Sequence, residues 1–197
     1  DFGVDYQGMI TDHARSFIAG KSLKKSHVKL LERTRQSLDA GIMAVHDRCR
    51  TGDIATAVQA ELDAAGYGIV RDLVGHGVGH HIHEDPNIPN YGRAGTGPWL
   101  DAGMTIAIEP MATMGDWRVY EADDGWTVLT HDGSLAAHFE HTVLITPDGA
   151  RVGSAGWSAL EAAARTASMS SSGKRMRFSS DPPYWSVRSL EIGDRNW

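Results

Sequence analysis

Over the first eighteen residues, Phe2, Val4 and Tyr6 and then Met9, Ile10 and Phe17 stand on either side of Gly8, a pattern that predicts two strands joined by a short turn. Ser26 followed by Val28, Leu30, Leu31, Leu38, Ile42 and Val45 predicts an N-cap and an amphipathic helix of about six turns, packed by one face on a sheet. After the break at Arg50-Thr51-Gly52, Asp53 is placed to cap a second helix that carries Ile54, Val58 and Leu62 and stops near Gly66. Short apolar runs at 69–74, 104–108, 126–129 and 139–145, divided by Gly, Pro and Asp, read as further strands. The stretch 83–98 holds three prolines and three glycines and reads as an irregular surface loop. A hairpin-rich sheet behind two helices is an α+β arrangement.

Near residue 151 the character changes. A first unit of 1–150 is followed by an Ala-rich helix fragment at 159–167, a serine run and a basic, proline-containing end that reads as a flexible tail.

Composition narrows the function. A formal charge of −6 disfavours a protein that binds nucleic acid by neutralising phosphates. The single cysteine, Cys49, excludes an intramolecular disulfide and a thiolate zinc cluster. No apolar stretch approaches the roughly 20 residues needed to span a bilayer, and no signal peptide opens the chain, so a soluble, cytoplasmic protein is expected.

Chemistry concentrates in a few positions. Asp1 and Asp12 flank the expected hairpin, where crossing strands can bring them to one end of a sheet; alone, such aspartates are ordinarily solvated. His76, His80, His81 and His83 fall within eight residues, among glycines that permit close backbone approach. In an extended segment, alternation puts His81 and His83 on one face and His80 with Ile82 on the other. Glu109 ends an apolar run, and Glu140 sits inside another. A carboxylate in such a strand is costly unless it is paired, hydrogen-bonded or cation-bound, although either could lie on a solvent face. Together, Asp1, Asp12, His76, Glu109 and Glu140 offer four carboxylates and one imidazole, enough charge for two divalent cations. An oxygen-rich set of this kind suits Mn, Fe, Co or Zn. Such a pair, about 3.5–4 Å apart, can share a hydroxide and polarise a carbonyl.

The blocks Gly75-His76-Gly77-Val78-Gly79 with His83-Glu84-Asp85-Pro86, the run from Gly103 through Glu109-Pro110-Met111, and Asp132-Gly133-Ser134-Leu135-Ala136 leading to Glu140-His141-Thr142 resemble the type I methionine aminopeptidases, as does the separation of Asp1 and Asp12. The resemblance covers about residues 1 to 150. It implies a pita-bread fold and removal of N-terminal methionine from peptides and nascent proteins, with association to the ribosome through that substrate. Asp1 would chelate one metal, Asp12 and Glu140 would bridge both, and His76 and Glu109 would complete the other shell. The resemblance further implies that Glu109 shuttles the proton of the attacking water and that His83 contacts the scissile carbonyl. Ile82 and Trp126 would border the substrate, although a tryptophan there also reads as core. His80 stands where many members have arginine, and His138 where many have glutamine. Family members carry roughly a further domain half before the first aspartate, so a fragment, weakly active or inactive alone, is expected. A proline-specific aminopeptidase or prolidase, and a non-catalytic peptide-binding module, are the alternatives.

Overall fold

A computed structural model describes residues 1–20 and 24–154. In chain order, β1 (Phe2–Tyr6) and β2 (Met9–Arg15) precede α1 (Lys25–Met43), β3 (Cys49–Arg50) and α2 (Thr51–Ala65). Then come β4 (Gly68–Ile69), β5 (Gly75–Gly77), β6 (Glu84–Ile88), β7 (Trp99–Leu100), β8 (Thr105–Ile108) and β9 (Met111–Thr113). The hairpin of β10 (Val119–Glu121) and β11 (Val128–Thr130), the long β12 (Ala136–Thr146) and β13 (Gly149–Val152) complete the described elements. The α+β arrangement and the opening hairpin stand as expected. The helix fragment and tail expected near the end lie outside the described residues.

The main sheet runs β1-β2-β12-β8-β5-β6, with every pairing antiparallel. Between β1 and β2, Gln7 and Gly8 both adopt positive φ (55° and 80°), the conformation that matches the twist of a two-residue hairpin. One face of the sheet is covered by the two helices. Ile106 and Ile108 of β8 and Val143 and Ile145 of β12 share a core there with Leu30 and Leu38 of α1 and Ile54, Val58 and Leu62 of α2. Gly41 lets α1 approach closely: a Cβ there would meet Val58 Cγ2 at 2.7 Å and Ile108 Cγ2 at 3.3 Å.

Several boundaries differ from the sequence reading. Lys24, not Ser26, occupies the N-cap of α1, without a side-chain cap, and Ser26 lies inside a 19-residue helix of about five turns. The cap of α2 is Arg50, and Asp53 is the third helical residue, whose carboxylate accepts the Arg50 backbone N–H at 2.8 Å. Gly66 ends α2 in the left-handed conformation, as expected. The expected strand at 69–74 shortens to β4, and beyond it Arg71 stacks over Tyr91 and Trp117. The strand expected at 126–129 begins later, at Val128; Trp126 and Thr127 instead donate backbone N–H bonds to Asp124 in the turn. The stretch 83–98 is not wholly irregular, since it contains β6 on the edge of the sheet, where a proline is tolerated.

Candidate metal centre

Four adjacent strands, β2, β12, β8 and β5, each deliver one metal-ligand residue type to the sheet face away from the helices. Register explains why. Glu140 lies opposite Ala14, so it shares a face with Asp12 two residues earlier on β2. His141 lies opposite Ile108, which places Glu140 and Glu109 together on the other face. Gly77 lies opposite Ile106, so His76 turns the same way as Glu109. Asp1 precedes β1, whose Gly3 pairs with Asp12.

The side chains converge. Ligand atoms of His76, Glu109 and Glu140 lie within 4.8 Å of one another, as do those of Asp1, Asp12 and Glu140, and those of Asp12, His76 and His83. His76 Nε2 is 3.8 Å from Asp12 Oδ2 and 3.6 Å from Glu109 Oε1. The other ring nitrogen, Nδ1, lies 2.9 Å from the Gly77 carbonyl, which can only accept, so Nδ1 is the donor of that bond and Nε2 is the nitrogen that faces the centre.

Glu140 is the least comfortable member. Its side chain is 2% exposed, and Oε1 is buried without a hydrogen-bond partner. Burial, and then the Glu109 and Asp12 carboxylates, push its pKa well above the ordinary carboxylate value. A set of buried carboxylates with an unsatisfied oxygen fits divalent cations, which neutralise the crowding and supply the missing partner.

Neighbouring groups fix the scaffold. The β2–β12 ladder ends at His13 and His141, and there the Thr142 side chain takes over: its Oγ1 accepts the Asp12 backbone N–H at 2.8 Å and donates to the Asp12 carbonyl at 2.9 Å. Asn90 Nδ2 donates to the Glu109 carbonyl at 3.1 Å. Neither Thr142 nor Asn90 was marked as functional from sequence. Thr142 has a readable signal, a polar residue two positions beyond Glu140 and therefore on its face; Asn90 has none, because only tertiary packing brings it to Glu109.

The histidine-rich segment is a compact turn rather than an extended strand, so simple alternation does not order it. Gly79 N–H bonds to the His81 carbonyl and His81 N–H to Glu84 Oε1, while the Ile10 N–H reaches the Gly79 carbonyl at 2.7 Å and ties the turn to the first hairpin. Ile82 packs on the glycine surface at Gly3, where an added Cβ would lie 2.8 Å from its Cδ1. His83 stands edge-on to His76, ring centroids 4.4 Å apart, and both line an open cleft of about 350 Å³ with Val74, Glu84, Asp85 and Asn87. Trp126 sits on the β10–β11 turn, 57% exposed, and does not line that cleft. On the helix-side face, the His13 and His141 rings lie tilted at 37° with centroids 4.9 Å apart; burial, and then His141, lower the His13 pKa to about 4.

Residues 1–147 match the model of metallopeptidase family M24. The chain belongs to that family. Among curated proteins it is 47% identical over 152 residues to a methionine aminopeptidase of Clostridium perfringens, covering 77% of this chain and 61% of that one. It is 44% identical over 158 residues to methionine aminopeptidase 1 of Mycobacterium tuberculosis, covering 77% and 59%. The crystal structure of the Thermotoga maritima methionine aminopeptidase superposes with a TM-score of 0.73 at 47% identity, over 76% of this chain and 60% of that one. A Pyrococcus horikoshii prolidase shares the fold at a TM-score of 0.58 and 22% identity, over 76% and 37%. The chain thus spans about three fifths of the length of these curated family members. Among the described residues, no helix is long and apolar enough to cross a membrane.

Proposed function

We propose that this chain is the ligand-bearing part of a cytoplasmic methionine aminopeptidase, which releases N-terminal methionine from peptides and nascent proteins, meeting the ribosome only through that substrate. The observation that supports this most is the convergence of Asp12, His76, Glu109 and Glu140 from four neighbouring strands, with Asp1 beside them. Four carboxylates balance two divalent cations, and the oxygen-rich set suits Co, Mn, Fe or Zn. In this reading Asp1, Asp12 and Glu140 would hold one ion, and His76 and Glu109, with Asp12 and Glu140, would hold the other. The bound pair supplies Lewis acidity and lowers the pKa of water.

The protein's own groups do the rest. Glu109, at the end of β8, takes the proton of the attacking water and returns it to the leaving amine. His83, on the turn lashed to the first hairpin, donates an N–H to the oxygen that gains charge as the carbonyl is attacked. His76 is held in place through its bond to the Gly77 carbonyl. Ile82, next to His83 on that turn, borders the methionine side chain, whereas the position of Trp126 outside the cleft lends its expected substrate contact no support.

The test is methionine release from a Met-Ala-Ser peptide by the full-length protein loaded with cobalt or manganese, with and without chelator, beside an Xaa-Pro peptide. Metal-dependent release of methionine alone is expected. Release that survives complete chelation would sink the reading, and preference for the Xaa-Pro peptide would move the chain to the prolidases.

A further inference from the structure

The two carboxylate oxygens of Glu109 face different histidines. Oε1 lies 3.6 Å from His76 Nε2, inside the metal-ligand cluster, and Oε2 lies 3.3 Å from His138 Nε2. His138 is launched from a fixed backbone: its N–H donates to Ser16 Oγ at 2.9 Å, that hydroxyl donates back to its carbonyl at 3.0 Å, and β9 pairs with it through Met111. Nε2 is buried and makes no well-aligned hydrogen bond, and the Glu109 carboxylate is the acidic group recorded within ion-pair distance of it. A glutamate carboxylate turns readily about its last bond, because that torsion has only a broad, shallow preference. Holding one oxygen therefore decides where the other points.

We infer that His138 is a positioning residue for Glu109: a small turn of its ring aligns Nε2 with Oε2, 3.3 Å away, and holding that oxygen would present Oε1 to the cation held with His76. This rests on the metal reading above. The required property is an N–H donor at that reach, which a glutamine amide also provides and a phenylalanine ring of similar size does not.

The test compares wild type, His138→Gln and His138→Phe in the full-length protein, by cobalt(II) titration followed by calorimetry and visible absorption, and by separate kcat and KM for a Met-Ala-Ser peptide. His138→Phe is expected to weaken cobalt binding about 10–100-fold and to change the absorption bands, as loss of a group orienting a metal ligand does. Its kcat falls while KM stays near the wild-type value, and His138→Gln retains cobalt affinity to within about threefold. Melting of the chelated proteins separates this from misfolding. Wild-type affinity and spectrum in His138→Phe, or an equal loss in both variants, overturns the inference. Absence of cobalt binding by wild type overturns the metal reading itself, and this inference with it.

Discussion

Glu140→Gln removes one buried charge while keeping the shape of the side chain, and its stability advantage over wild type in the metal-free protein should shrink or reverse in the metal-loaded one. The ligand oxygens of Glu140 and Glu109 lie within 4.8 Å. Two unit charges at that separation repel by about 3.5 kcal/mol at an effective dielectric of 20. Glu140 escapes part of this by holding a proton, because its pKa is raised by burial and by Glu109 and Asp12. The folded state then binds more protons than the unfolded state above the ordinary value of 4.5. Its stabilising contribution is complete below that value and is lost as pH rises through the folded pKa. In chelator at pH 7.5, Glu140→Gln should therefore be more stable than wild type by about 1–3 kcal/mol, a rise in Tm of roughly 2–12 °C. With cation at about 100 times its dissociation constant, wild type should gain about 2.7 kcal/mol, and the variant much less because a ligand is gone. Differential scanning calorimetry in EDTA and in manganese, at pH 5 and 7.5, reads both arms. A variant that is destabilised in chelator yet equally stabilised by manganese would refute the argument that these carboxylates crowd around a cation site.

Two further outcomes follow from the same face and its reverse. Thr142→Val leaves the buried Asp12 N–H and carbonyl without the hydroxyl that serves both, and should cost about 1–3 kcal/mol in urea unfolding and weaken manganese binding; unchanged metal affinity would mean that Asp12 does not depend on this brace. His13, whose folded pKa of about 4 is below its ordinary 6.5, contributes stability that is present above pH 6.5 and lost as pH falls toward 4. His13→Phe keeps a ring against His141 and should flatten the decline of urea midpoints across that window; parallel declines in both proteins would contradict it.

The gathering of Asp12, His76, Glu109 and Glu140 was legible where chemistry and periodicity agreed. Glu109 and Glu140 announce themselves as carboxylates in apolar strands, and the antiparallel register then puts both on the face of Asp12 and His76. The first hairpin and the Gly66 stop follow from local conformational preference. The misreadings arose where tertiary context prevails over local signals. Ser26 looks like a cap, but α1 begins before it. Pro86 argues against a strand, yet an edge strand needs fewer N–H donors. Periodicity could not arrange the histidines at 80–83, because bonds from Gly79 to His81 and from His81 to Glu84 fold that segment into a turn. The Asn90 bond to Glu109 joins segments whose meeting no local pattern encodes.

The position of β12 has a consequence for assembly during synthesis. β2 and β8 do not touch each other in the ladder; each is zipped to an opposite side of β12, which is made 121 residues after β2 ends (Arg15 to Ala136). A nascent chain lacking this last long strand has no template to hold Asp12 at the level of Glu109. If the cluster holds cations as proposed, their capture waits until residue 142 has emerged and docked, which makes it a late checkpoint in folding.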